Sequence, residues 1–328
     1  MIALRNEEAR IGKKISDLIT CDIRRVREII VVCDHCTDDT ATQASSSGSS
    51  LVRIHRHDDG PSGKAGALNA GVALATGDLV LFTDARQRFA PDAIDRLARW
   101  FDDPSNGAVS GSLEIEPSLL GSGVALDSYW RLEKQIRRCE SDIDSAVGCT
   151  GAIYMIRRRL FQPLPPDTIL DDVVVPMNIT MQGLRVRFDP EALAYDPQTL
   201  DGATESRRKI RTLAGNFQML FRHPRWLLPT ANRLWWQLIS HKYLRILGPF
   251  FLLGCFVASW RLMQIPFYRL AFAAQCILLL LGAAGMALPR IHSRLLSLPA
   301  GFLFLQISVA RGFVFWLTSL AKPGGGWK

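Results

Sequence analysis

From the N-terminus to about residue 205, short apolar runs alternate with polar, Ala-rich stretches. Arg27–Cys33 (REIIVVC) predicts a strand, and the turn-like DHCTDDT follows it. The Ser/Ala/Thr-rich stretch beyond predicts a helix capped by Thr37 or Asp38. Leu51–His55 predicts a short strand, Lys64–Ala75 a helix, and Asp78–Thr83 a buried strand that ends at Asp84. Pro91–Phe101 opens with Pro at a helix start and keeps Ile94, Leu97, Ala98 and Phe101 on one face. Gly107–Ile115 is strand-like again. This rhythm predicts an α/β sandwich with a mostly parallel sheet. Ligands of such sheets sit at the carboxyl ends of strands. Asp34 and Asp84 each directly follow an apolar strand, so both are expected to project into one cleft; two capping or turn aspartates are the alternative.

The pattern then changes. Tyr243–Leu262, Phe267–Leu288 and Leu298–Leu320 are apolar runs of about 20 residues, the length that crosses roughly 30 Å of hydrocarbon. Pro, Gly and Arg interrupt them, and Arg311 sits inside the third, where it snorkels or faces a polar path between helices. They are expected to be three membrane helices rather than a buried soluble bundle. The preceding HPRWLLPTANRLWWQLISHK places Trp226, Trp235 and Trp236 among basic residues, a composition suited to a helix lying in the membrane interface, with a plain core helix as the alternative.

Charge sharpens this division. The chain has a net charge of +8 over 328 residues, yet none of its 31 Asp and Glu lies at or beyond Ser206, where 16 of the 39 Lys and Arg are found. The first part is therefore acidic and the second cationic. Those cations are mixed with apolar spans rather than spread on a polar face, which argues against a nucleic-acid partner. With the acidic part cytoplasmic, three spans put the 289–294 loop inside, and its Arg290 and Arg294 agree with the positive-inside rule. Arg261, Arg269, Lys322 and Lys328 dilute that agreement. MIALRNEEARIGKK has no apolar core of the secretory kind. Seven dispersed cysteines read as reduced thiols; Cys33 and Cys36 form one CxxC without a second pair at zinc-ligand spacing.

Several strings together resemble the family 2 inverting glycosyltransferases of the GT-A fold, in particular the membrane polysaccharide synthases related to cellulose and hyaluronan synthases. IALRNEEARIGKKI resembles their first strand and NEE turn, and VVCDHCTDDTA their second strand and nucleotide loop. DDGPSGKAGALNAGVALATGDLVLFTDARQRFAPDAI resembles their donor-lysine segment and the strand bearing the metal-diphosphate acids. GCTGAIYMIRRRLF and ILDDVVVPMNITMQGLRVRFDPEALAY resemble the acceptor-side and base segments. The resemblance runs through roughly residues 2–250, although MIALRNEE is expected to begin inside the first strand, either because the start is late or because a first membrane helix is missing.

The resemblance implies roles. Asp172 matches the base that takes a proton from the acceptor hydroxyl, with Asp171 and Glu7 as secondary candidates. Asp34 matches the nucleoside-binding residue and Lys64 a donor-contacting lysine suited to phosphate oxygens. Asp84 matches the first acid of D-x-D, which holds Mg²⁺ or Mn²⁺ on the diphosphate. Two departures matter. The second acid is Arg86, which either lays a cation on the phosphates or points away from a metal held by Asp84, diphosphate and water. Where processive synthases carry Q-x-x-R-W, this chain has Arg208-x-x-Arg211-Thr212. Arg211 matches the arginine that pairs with the diphosphate; the cluster could equally be a basic collar at the membrane surface. Losing the Trp places processivity in question.

The expected organisation is a cytoplasmic transferase domain over 1–205, basic and aromatic interfacial helices over 206–242, and a cell-membrane region over 243–328. The expected reaction moves a sugar from a nucleotide sugar, foremost a UDP-sugar, to a growing polysaccharide, with membrane export proteins as partners. Single transfer to a polyprenyl phosphate is the alternative enzyme reading. A non-catalytic nucleotide-sugar-binding scaffold is the alternative of another class.

Overall fold

A computed structural model describes residues 1–21, 24–115, 124–197, 202–288 and 293–320, with the side chains of 124–130 and 202–205 left aside. The 289–292 part of the loop expected inside, with Arg290, and the tail with Lys322 and Lys328 lie outside the described residues.

Three parallel strands open the fold: β1 (Ile2–Leu4), β2 (Ile29–Asp34) and β3 (Val52–His57), in the order β1-β2-β3. Between them run α1 (Glu8–Thr20) and α2 (Thr40–Ser45). α2 is shorter than the sequence pattern suggests, because the Ser-rich stretch beyond it offers the backbone competing side-chain hydrogen bonds: Ser45, Ser46 and Ser47 each donate to a carbonyl three or four residues back. The expected cap is displaced too: Asp39 occupies the cap position without a side-chain bond, while Asp38 accepts from the Thr40 amide.

A second, five-stranded sheet follows. Its strands are β4 (Leu79–Phe82), β5 (Arg88–Phe89), β6 (Asn106–Ile115), β7 (Tyr154–Arg157) and β8 (Arg185–Asp196), in the order β4-β7-β6-β8-β5. This sheet is mixed: β6 and β8 are parallel, while β7 runs antiparallel to β4 and β6. A parallel bridge between Ile2 and Thr83 joins the two sheets at β1 and β4. α3 (Lys64–Leu74), α4 (Ala93–Arg99), α5 (Val124–Ile143) and α6 (Asp171–Met181) cover the sheets. The core on one side holds Val32, Leu68, Phe82, Tyr154, Ile156, Val174 and Met177; Phe82 and Tyr154 stack 4.6 Å apart.

α7 (Gly202–Arg222) follows β8 and is amphipathic; Leu213, Ala214, Phe217 and Met219 enter that same core. A 3₁₀ turn (Pro224–Leu227), α8 (Trp235–Leu238) and a π-helical turn (Ile239–Tyr243) lead into three long apolar helices: α9 (Leu244–Arg261), α10 (Pro266–Ala287) and α11 (Arg294–Leu320). Three helical stretches, Trp235–Arg261, Pro266–Ala287 and Arg294–Leu320, are long and apolar enough to cross a membrane. One interfacial expectation is corrected. Trp226 is buried, stacked on His223 at 4.0 Å, with Asn232 donating to its carbonyl; Trp236 is exposed.

The third apolar helix does not stand apart from the sheets. α11 lies along α7, and a Cβ at Gly312 would meet the Leu213 Cβ at 2.7 Å and the Ile210 carbonyl at 3.2 Å. Trp316 stacks on Phe221 at 4.7 Å. Only glycine admits so close an approach of two backbones.

Candidate active site

The expected site residues converge where β2, β4, α3, α6 and α7 meet. Lys64 is the first residue of α3, following Gly63. Its Nζ lies 3.1 Å from Asp84 Oδ1, at the end of β4, and 3.5 Å from Asp171 Oδ2, at the start of α6. Burial by itself would lower the Lys64 pKa; Asp171, Asp84 and Asp172 outweigh it, and the shift is upward. Lys64 is thus a firmly charged ammonium joining three segments that are distant in sequence.

Asp171 and Asp172 open α6 after Leu170. The Asp171 side chain is buried against Lys64, whereas Asp172 is partly accessible. The loop before β7 presses on Asp172: Cys149 N–H donates to its carbonyl at 2.7 Å, and a Cβ on Gly151 would stand 3.2 Å from its Oδ2. Burial raises the Asp172 pKa to about 6; the neighbouring Asp171 adds to this, while Lys64, Arg137 and Lys242 oppose it. Asp172 therefore takes up a proton near neutrality, as a general base must. Since the folded pKa is raised, this group favours the fold at low pH and that contribution is lost as pH rises through about 6. Turnover should run the other way, rising with pH through an apparent pKa near 6 that belongs to the coupled Asp171–Asp172–Lys64 set. A pH profile of kcat/KM between pH 5 and 8 checks this.

Arg211, on α7, faces the same carboxylates. Burial lowers its pKa, and Asp171, Asp172 and Asp84 offset this in part. Among the described residues its guanidinium has no hydrogen bond or salt bridge. Arg208, one turn earlier, is exposed; burial and then Arg86 lower its pKa against Asp196 and Asp84. Lys64 and Arg211 so face the Asp171–Asp172 pair, while Arg208 lies toward Asp84 and Asp196.

Two residues, Asp34 and Glu7, depart from the sequence reading, and Arg86 has a partner within the chain. Asp34 is fully buried, so its carboxylate does not open into the cleft beside Asp84. It accepts from Ser62 Oγ at 2.8 Å and the Gly63 amide at 2.9 Å, and lies 3.1 Å from His35 Nδ1. It thereby braces the segment that presents Lys64. Glu7 turns along α1 to accept from Arg10 at 2.7 Å, while Asn6 and Glu8 tie the turn to Thr37 and Asp39. Arg86 pairs with Asp196 at the end of β8, which also accepts from Gln87 at 3.2 Å. Among the described residues the Nε and Nη1 of Arg86 have no hydrogen-bond partner. The sequence reading passed over Tyr154, whose buried hydroxyl has no hydrogen-bond partner among the described residues and whose pKa is raised by burial and then Asp171. Its signal was present in the GCTGAIYM string, but a tyrosine within a strand ordinarily reads as core.

Among the described residues no group of three or more His, Cys, Asp or Glu is placed to hold a metal. The chemistry of the donor set still fits a hard cation held mostly by substrate: one Asp84 oxygen is taken by Lys64, and the side chain is partly exposed. Mg²⁺-type sites use as few as one carboxylate with substrate phosphates and water.

Comparison with known proteins places this geometry. The family model described as "Glycosyl transferase family 2" matches residues 1–164. The poly-beta-1,6-N-acetyl-D-glucosamine synthase of Staphylococcus aureus (strain COL) is 25% identical over 232 residues, 68% of this chain and 55% of that protein. The beta-monoglucosyldiacylglycerol synthase of Synechocystis is 31% identical over 245 residues, 69% of this chain and 49% of that one. The chain thus spans about half the length of the curated relatives it matches. Among solved structures, the mannosyltransferase PcManGT from Pyrobaculum calidifontis, in complex with GDP-Man and Mn²⁺, aligns over 96% of this chain and 85% of its own, with a TM-score of 0.71 and 22% identity.

Proposed function

Because the chain belongs to glycosyl transferase family 2 and has its GT-A fold, we propose that it transfers a sugar from a nucleotide-sugar donor, with inversion, to an acceptor hydroxyl at a membrane surface. The observation that carries this reading is the placement of Asp172, a carboxylate with a pKa near 6, within electrostatic reach of Lys64, which pairs with Asp84, and of Arg211. An inverting transfer needs a base on one side of the anomeric carbon and positive charge on the departing diphosphate on the other. Asp172 is the base. Lys64, Arg211 and Arg208 supply the charge, and Asp34 acts on the donor indirectly, through the Ser62–Gly63 brace. Asp84 would hold Mg²⁺ or Mn²⁺, which when bound neutralises diphosphate charge.

A base is needed for a hydroxyl acceptor and not for a phosphate that is already ionised. This favours a growing polysaccharide over a polyprenyl phosphate, in keeping with the S. aureus relative. Thr212, in place of a sugar-stacking Trp, and the packing of α7 on the apolar α11 favour a second reading, in which one sugar passes to a lipid hydroxyl. In either reading the residues 1–205 form the transferase part, 206–242 the basic and aromatic joint, and 243–328 the membrane part, with the transferase part cytoplasmic.

The testing experiment is nucleoside diphosphate release by the detergent-solubilised protein across UDP- and GDP-sugars, with Mn²⁺, Mg²⁺ or EDTA, followed by product analysis. Release from one donor is expected, with EDTA lowering it at least tenfold and Asp84→Asn doing likewise in the presence of metal. No release from any donor in the presence of lipid and oligosaccharide acceptors would leave the scaffold reading standing. Long polymer identifies the first acceptor class and a single glycolipid the second.

A further inference from the structure

Away from the donor cleft, the chain buries a dense ionic cluster that the proposed reaction does not use. Glu133 and Glu140 lie on α5 and are buried; His241 and Lys242 lie in the π-helical turn at the root of the first apolar helix and are buried as well. The His241 ring bridges the two carboxylates, with Nδ1 2.8 Å from Glu140 Oε1 and Nε2 3.1 Å from Glu133 Oε1. Glu133 also meets Arg137 at 3.5 Å, Lys242 at 3.6 Å and Arg245 at 3.3 Å.

The cluster is not closed on itself. Arg137 Nη1 donates to Thr150 Oγ1 at 2.7 Å, and Glu140 Oε2 accepts from the Val147 amide at 3.2 Å. Val147 and Thr150 flank Cys149, whose amide bonds the Asp172 carbonyl, and Thr150 precedes Gly151, where an added Cβ would stand 3.2 Å from Asp172 Oδ2. One continuous set of contacts therefore runs from the membrane-proximal turn, through α5, to the loop that seats the base. Buried ion clusters are poor sources of stability, since apolar replacements of similar volume are often neutral or better; their best-attested use is to fix register. π-helical turns, too, gather at functional positions.

We propose that His241 and Arg137 are positioning residues for the transfer: they lock the root of the first apolar helix to the 147–151 loop and so fix Asp172 relative to the acceptor. The proposal rests on Asp172 being the base. Arg137 also acts on Asp172 directly, as one of the cations that hold its pKa down.

The test uses the full-length protein in detergent with His241→Gln, Arg137→Met and Arg137→Lys, and reads four quantities. These are kcat on the donor found above, the dissociation constant for the nucleoside diphosphate, the acid limb of the pH profile, and amide exchange over 147–151. Gln retains one donor nitrogen, and Met removes the charge while Lys242 and Arg245 remain on Glu133, so both variants should fold. We expect kcat to fall by at least tenfold, nucleoside diphosphate affinity to stay within twofold, and amide exchange at Val147 and Cys149 to quicken. Arg137→Met should also move the acid limb upward, and Arg137→Lys should leave the limb in place and recover part of kcat. Normal kcat with unchanged exchange would overturn the proposal, as would loss of nucleoside diphosphate affinity in step with kcat. If His241→Gln fails to fold, the Arg137 pair decides alone. Should Asp172→Asn retain activity, the base assignment fails instead, a different outcome from active Arg137→Met beside inactive Asp172→Asn.

Discussion

Asp172→Asn should lower turnover by about 10²–10⁴-fold, the usual contribution of a positioned general base, while nucleoside diphosphate binding stays near the unmodified level. The reason is geometric. Asp172 lies beside the diphosphate cations without being their ion-pair partner; Lys64 reaches Asp84 and Asp171 instead. Asn keeps the size of the side chain but accepts no proton. Stability should hold or rise slightly, because ionising Asp172 at neutral pH works against burial and the adjacent Asp171. Asp171→Asn has a different signature: it removes a buried counter-charge of Lys64, so both stability and donor affinity should fall. Measuring kcat, the nucleoside diphosphate dissociation constant and the melting temperature on both variants separates the two roles. Full turnover in Asp172→Asn would remove the base from the mechanism and return a phosphate acceptor to consideration, since such an acceptor needs no proton taken.

What could be read from the sequence was what local pattern encodes. Apolar runs ending in aspartate located β2 and β4, Pro91 and its spaced apolar residues located α4, and the apolar lengths of the C-terminal part located α9 to α11. The illegible parts depend on pairings across long separations. Nothing near Arg86 announces Asp196, 110 residues away, and nothing near Glu133 announces His241, 108 residues away. The antiparallel course of β7 could not be seen either, because a buried strand carries the same apolar run in either direction. Asp34 shows the converse error: following a strand put its Cα at the cleft, but its side chain turned back to Ser62 and Gly63, and only burial reveals that.

Arg211→Gln should lower turnover by about 10²–10³-fold, the scale of losing one preorganised group that stabilises developing charge, and should not lower the melting temperature. The two expectations have one origin. Arg211 is held part-buried on α7 without a hydrogen bond or salt bridge among the described residues, and burial lowers its pKa despite Asp171, Asp172 and Asp84 nearby. A cation whose folded pKa lies below its ordinary value is one that folding disfavours; neutralising it removes that cost. A guanidinium kept in such a place has its favourable partner elsewhere, and the diphosphate of the donor is the group the surrounding cations are arranged to receive. Arg211→Lys should retain part of the turnover, since charge remains while the two-pronged geometry is lost. Nucleoside diphosphate affinity should weaken in Arg211→Gln and lose part of its salt dependence, because one charge contact is gone. A melting temperature that falls together with activity would instead make Arg211 a structural tie between α7 and the carboxylates, leaving the leaving-group charge to Lys64 and the metal.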